Sequence, residues 1–293
     1  MSIIVQTIGG LGNQLFQYAF ARSVSDRLGT DFKLDISPFN TFYKDVNNPY
    51  VLERFNTKVT LAADSDMFGL VWLRGHNQLF NFLYNRLRLK YLMKKRYYHE
   101  KGFPFDPGVF PRDNIYFEGF WQTQKYFEHI AGPLRTELTL KDPLSALSAE
   151  MDGRIRKTVS VSIHVRRYAD EAKIPWFGFC SVDYYERAAK LIREKVPNCV
   201  FYLFTDNHDW VRRNFQSFTY PYIAVENTSD KSHEDITLMS HCKHHIIANS
   251  SFSWWGAWLN PDPKKIVIAP KVWFEHAKKN DTRDLLPEEW VKI

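Results

Sequence analysis

The sequence has little with which to staple or anchor itself. Its 293 residues include three cysteines, Cys180, Cys199 and Cys242, too few and too widely spaced for a disulfide framework or a CxxC metal pair. A reducing compartment is the simpler reading of so sparse a set. No run of about 18 apolar residues occurs, which excludes a membrane-spanning helix. The opening MSIIVQTIGG lacks the charged and long apolar stretches of a secretory signal, so a cytoplasmic location is expected, or a peripheral one on a membrane. Motifs of several common catalysts are also missing. There is no GxGxxG dinucleotide fingerprint, no GxxxxGK[ST] phosphate loop, no GxSxG and no HExxH. Nor is there an internal repeat or low-complexity tract.

What the chain has in excess is aromatic. Phe, Tyr and Trp make up 16% of it, supplying large buried area and flat faces on which rings or sugars stack. Hydrophobic residues at 44% and charged residues at 25% are ordinary for a folded globular chain. The net charge of +6 is mild and suits an anionic ligand or an anionic membrane surface. No nucleic-acid module is recognisable, so a nucleic-acid partner is not expected.

Strand and helix signals alternate along the chain. Ile3–Ile8 reads as a buried strand, then Gly9-Gly10-Leu11-Gly12 leads to a helix from Gln14 to near Leu28, with Gly29 as its stop. A strand at 32–36 follows, then a basic-aromatic helix over 67–97 and a strand-like run at 116–121. The texture changes over 140–157, which sets a domain boundary at 150/151. Beyond it come strands at 159–165, 200–204, 222–225, 245–248 and 266–268, with helices at 183–196, 209–215, 235–242 and 253–259. Such alternation predicts parallel sheets: an α/β protein of two Rossmann-like domains, 1–150 and 151–293, facing each other across a cleft.

Ligands of parallel α/β sheets bind at the carboxyl ends of strands. One strand ends at His164-Val165-Arg166-Arg167, where paired guanidiniums form an anion clamp or, more simply, a solvated basic loop. Another ends at Asn249-Ser250-Ser251-Phe252-Ser253 before a Trp-rich helix, a pattern for phosphate at a helix N-terminus or for a plain cap. Thr205-Asp206-Asn207 can reach a sugar hydroxyl or simply make a turn. In the first half, the glycines at 9–12 allow close backbone approach, and Asn13 and Gln14 add directed hydrogen bonds. Two metal-like patterns have plainer accounts. Asp64-Ser65-Asp66 reads as a helix cap, and His241, His244 and His245 straddle a helix–strand junction without a fourth ligand. The segment 85–101 interleaves basic residues with Leu, Met and Tyr, as a solvated helix face or an interfacial lipid-binding helix does.

Taken together these blocks resemble the bacterial α-1,2-fucosyltransferases of glycosyltransferase family 11. The resemblance is carried by GGLGNQLFQYAFA at 9–21, YFEGFWQTQKYF at 116–127, SIHVRR at 162–167, GFCSVDYYERA at 178–188, FTDN at 204–207, the long run at 235–260 containing NSSFSWWGAW, and LLPEEWVKI at 285–293. It implies a GT-B fold, an acceptor-side N-terminal domain, a donor-binding C-terminal domain, and a last helix packing back on the first domain. It also implies GDP-L-fucose as donor, inversion at the anomeric carbon, no metal or other cofactor, and a terminal β-galactoside as acceptor. Such an acceptor suits a lipid-linked surface-polysaccharide repeat such as an O-antigen. Position by position, it makes Arg166 the β-phosphate arginine, with His164, Arg167, Asp206, Asn249, Ser250, Ser251 and Phe252 around the donor. Asp235 matches the carboxylate that reads guanine. Asn13 faces acceptor or leaving phosphate, with Gln14, Trp121 and Trp176 as further acceptor-side residues. The usual HxRRGDY pattern is broken here by Tyr168-Ala169-Asp170, so Asp170 stands one position late. Asp170, Glu171 and Glu118 are the candidate bases, beside an oxocarbenium-like path with little base assistance. A fucosyltransferase of α-1,3 or α-1,6 linkage and a non-catalytic sugar-binding protein are the alternatives.

Overall fold

Strand β1 (Ser2–Gln6) is apolar and buried, and it seeds the first sheet. In the computed structural model, which describes residues 2–41, 49–67, 96–167, 178–275 and 281–293, it lies between β2 (Asp31–Asp35) and β4 (Tyr116–Glu118), with β3 (Tyr97–His99) on the outer side of β4. Every pairing in this sheet is parallel. The helix Leu11–Leu28 follows β1 and ends on Gly29, whose φ of 61° supplies the left-handed cap. Its sequence lacks a clean helical period for a physical reason: residues on all its sides are buried, so no polar stripe is needed. Phe20 stacks on Trp121 at 3.9 Å and meets Phe117 and Tyr126 edge-on, which consumes much of the aromatic excess of this half.

A second sheet runs β10-β9-β8-β5-β6-β7, again wholly parallel. Its strands are β5 (Ser160–Val165), β6 (Val200–Thr205), β7 (Tyr222–Ala224), β8 (His244–Ile246), β9 (Val267–Ala269) and β10 (Val291–Lys292). β5 is central and buried along its whole length, because the amphipathic helix Val182–Lys195 covers it from one face and the other is closed as well. The α/β class and the parallel sheets agree with expectation.

The division of the chain differs in detail. The units are Met1–Leu138 with Arg283–Leu285, and Thr139–Thr282 with Leu286–Ile293. The dividing line thus precedes 150/151, because the helix Ala146–Lys157 belongs to the second unit. Ser145 Oγ donates to Glu234 at 2.5 Å, and His241 meets Asp152 at 2.6 Å, binding that helix to Ser232–His241. Strand β10 closes the chain, and the last helix among the described residues is Ser251–Leu259. Asp284 joins the first unit, taking Lys125 Nζ at 2.6 Å and the Phe105 N–H at 2.9 Å.

Candidate active site

In the second unit the chain runs β5, β6, β7 to one side of the sheet, then returns to the other side of β5 with β8. The carboxyl ends of β5 and β8 therefore flank the topological switch point, where an open parallel sheet leaves a crevice. His164 and Arg166 leave the end of β5, and Ser250, Ser251 and Phe252 follow β8. The His164 and Phe252 rings lie 5.4 Å apart. Ser250 caps the Ser251–Leu259 helix by accepting the Phe252 N–H at 3.3 Å, which orients a first turn whose N–H groups favour anions. Ser253 is buried and donates back to backbone carbonyls, so it is a structural serine.

The two arginines separate. Arg166 is partly exposed and its Nε is 3.5 Å from Asp206 Oδ2. Arg167 is only 8% exposed, donates to Cys180 O at 2.8 Å, and lies 3.8 Å over the Trp210 ring and 5.0 Å from that of Phe179. Its guanidinium holds the 178–181 turn to the His208–Asn214 helix. Asp206 sits between the two, taking the Arg167 N–H on Oδ1 at 2.6 Å, so its carboxylate aims Arg166. Burial raises the Asp206 pKa, and the Arg166 charge opposes that rise. His164 is buried and its Nδ1 has no partner; burial, with Arg166 adding repulsion, pushes its pKa down to about 3, so the ring is neutral.

Asn249 is a brace. Its amide donates to Gly178 O and Trp273 O, each at 3.0 Å, and its Oδ1 takes the Cys180 thiol, which joins the loops around the end of β8. Asn207 caps its own helix through Trp210 N. Asp235 accepts one bond, from Asn227 Nδ2 at 2.7 Å. Burial pushes its pKa up to about 7, with Asn227 opposing and Glu234 adding to the rise.

In the first unit β4 inserts between β1 and β3, so the ends of β1 and β4 flank a second switch point. Asn13 belongs there: its Oδ1 accepts from Gln122 Nε2 at 2.8 Å, and its amide covers Gly9, where φ is 79° and a Cβ would lie 2.7 Å from Asn13 Nδ2. Two acceptor-side expectations are corrected. Gln14 is fully buried, bonded to Gly9 O, Pro49 O and the Val51 N–H, and serves to pin the 49–51 segment. Trp121 is fully buried in the Phe20 stack and belongs to the core. Both carry polar atoms, but sequence alone does not say which side of a helix or turn faces the core. Trp176, Asp170 and Glu171 lie outside the described residues, as does most of 85–101.

Glu118 is buried and takes the Tyr97 hydroxyl, with His99 Nδ1 3.6 Å away. Asp66 accepts the Ala63 N–H and Lys33 Nζ near the start of its short helix, as a capping residue does. The three histidines diverge. His241 faces Asp152, His244 Nδ1 accepts Ile266 N, and His245 lies between Ser162 and Asn260. Sequence reading missed Glu100, Gln122 and Asn227. Gln122 and Glu100 lie inside segments noted above, but only the sheet order brings them to Asn13 and to the Trp121 N–H; Asn227 reaches Asp235 locally, eight residues away.

A family model described as "Glycosyl transferase family 11" matches residues 1–293. The chain belongs to this family. Among its relatives, an α-1,2-colitosyltransferase of Escherichia coli is 33% identical over 100% of this chain and 99% of its own length. The O-antigen biosynthesis glycosyltransferase WbnK, also of E. coli, is 29% identical over 97% and 98%. The solved structure of the fucosyltransferase NodZ from Bradyrhizobium, at 15% identity, covers 87% of this chain and 91% of its own with a TM-score of 0.47. Family membership makes each switch point, taken by itself, a candidate ligand site of a glycosyltransferase.

Proposed function

We propose that this chain is an inverting α-1,2-glycosyltransferase that moves L-fucose from GDP-β-L-fucose to the 2-hydroxyl of a terminal β-galactoside. The observation that carries this is the β5–β8 switch point, where a partly exposed Arg166, aimed by Asp206, stands one strand from the Ser250-capped helix. That pairing suits a pyrophosphate: the guanidinium and first-turn N–H groups meet negative charge as the nucleotide departs. We read the reaction as metal-independent, since these groups supply positive charge where a cation otherwise would. Neutral His164 offers an N–H and a lone pair without adding charge. Asp235 in its ionised form accepts guanine's N1–H and amino group, leaving Asn227 on its other side. Asn13 and Gln122 receive the acceptor or the leaving phosphate. An O-antigen acceptor fits the name of the 29% relative, and a lipid-linked form of it at the cytoplasmic face of the membrane fits the basic-aromatic sequence of 85–101.

A second reading has one observation in its favour. The 33% relative is named for colitose, which is L-fucose without its 3-hydroxyl. GDP-L-colitose is thus the rival donor. Purified protein given either GDP-sugar, in EDTA, with a set of β-galactosides is expected to turn over GDP-fucose and yield an α-1,2 product by NMR. Preference for GDP-colitose would replace the donor, and consumption of neither would overturn the reading.

A further inference from the structure

Glu100 directly follows β3, and its N–H bonds to Glu118 O at 2.8 Å, extending the β3–β4 ladder by one residue. Its side chain then crosses the end of β4. Oε2 accepts the Phe120 N–H at 2.6 Å and Oε1 the Trp121 N–H at 3.0 Å, so two successive backbone donors hold the carboxylate like a fork. Trp121 presents its N–H from a φ of 59°, a conformation uncommon for a residue with a side chain. Gly119 makes the approach possible, because a Cβ there would lie 2.5 Å from Glu100 Cβ and 2.7 Å from Oε2. The turn after β4 is therefore built around this carboxylate.

Glu100 is half-buried, and a carboxylate partly shielded from water is commonly paired with a cation. Glu100 has none among the described residues, and each oxygen keeps a lone pair beyond its one backbone bond. It lies at the carboxyl end of the first sheet, next to the β1–β4 switch point. The nearby Phe120 ring is 37% exposed, a flat apolar face of the kind on which a pyranose stacks. At the end of β1 the Thr7 hydroxyl is buried without a partner.

On the reading of this chain as a glycosyltransferase acting on a sugar hydroxyl, we propose that Glu100 is the proton acceptor for the attacking hydroxyl. Its carboxylate oxygen takes the proton as the hydroxyl oxygen bonds to C1 of the donor sugar. The C1–O bond to the β-phosphate breaks, and GDP leaves with that electron pair. Burial, against the two N–H bonds, pushes the Glu100 pKa up to about 7, where a base is both available and strong enough near neutrality. Other titratable groups lie around it. Tyr98 and Tyr126 share its face of the sheet; both have raised pKa values and remain neutral. Asp106 bonds Tyr98 and is held ionised by it. Glu118, Tyr97 and His99 lie on the opposite face.

The test measures kcat and KM from pH 5 to 9 with GDP-fucose and a β-galactoside acceptor for wild type, Glu100→Gln, Glu100→Asp and His99→Gln. GDP affinity and melting midpoint are recorded alongside. Wild type is expected to lose kcat on the acid side of about pH 7. Glu100→Gln is expected to drop kcat by roughly 100-fold or more, to lose that acid limb, and to keep donor KM and GDP affinity. His99→Gln is expected to keep the limb. Should Glu100→Gln fail to fold, Glu100→Asp, with its oxygens one methylene farther back, is expected to retain the limb at reduced kcat. Wild-type kcat in Glu100→Gln, or an acid limb that survives in it, overturns the role. A wild-type chain that transfers no sugar while binding GDP overturns the glycosyl-transfer reading and this role with it.

Discussion

Adjacent arginines at a strand end double the positive charge offered to a ligand only if both guanidiniums remain in solvent. Here one does. Arg166 stays partly open beside Asp206, whereas Arg167 is sandwiched at the Trp210 face and donates inward to Cys180 O. Their alanine variants should fail differently. Arg166→Ala is expected to lower kcat/KM by about 100- to 1,000-fold with an unchanged melting midpoint, as removal of a preorganised charge does. Arg167→Ala is expected to cost about 2 kcal/mol in denaturant unfolding, through the lost cation–π contact and an orphaned carbonyl. The motif HVRR was legible in the sequence, but this division of labour was not. It depends on Trp210, which comes from a helix 43 positions away and reaches Arg167 only because β6 lies beside β5.

At the scale of elements, most strands and helices were legible because their patterns follow from two rules, buried β-branched runs and capped amphipathic helices. The Val182–Lys195 helix begins after Ser181, whose hydroxyl accepts the Tyr184 N–H, and its apolar stripe is plain in sequence. The Leu11–Leu28 helix has no stripe, and only its glycine stop announced it. The Ser232–His241 and Ser251–Leu259 helices approach closely at Gly256, where a Cβ would sit 2.9 Å from Met239 Cβ. One of these helices carries Asp235 and the other starts at the Ser250 cap. Gly256→Ala is therefore expected to destabilise by about 2 kcal/mol through overpacking. If the proposed donor is right, it should also weaken GDP binding, read by calorimetry, because the two helices move apart.

Across the whole molecule, buried and half-buried groups with shifted pKa values give stability a pH dependence of predictable sign. Asp235 and Glu100 are both pushed up to about 7, so the folded state binds more protons than the unfolded one from about pH 4 to 7. Their contribution is fully present below the ordinary carboxylate range and is lost as pH rises through about 7. His164 and His245 are shifted downward by burial, so they act oppositely: their contribution is present above about pH 6.5 and falls as the solution becomes more acidic. Asp235→Asn isolates one of these. Its stability relative to wild type is expected to rise between pH 5 and 8 by on the order of 2 kcal/mol, measured by denaturant unfolding at each pH. A flat difference would mean that Asp235 ionises in the folded chain as it does in the unfolded one. Local physics was enough to determine the α/β class, the parallel sheets and the strand ends bearing HVRR and NSSFS, since patterning and capping act over a few residues. Strand order was decided only by the tertiary structure, because pairing joins segments far apart in sequence. That order set β5 beside β8 and β4 beside β1, committed Arg167, Asn249, Gln14 and Trp121 to the interior, and turned Glu100 across the end of β4.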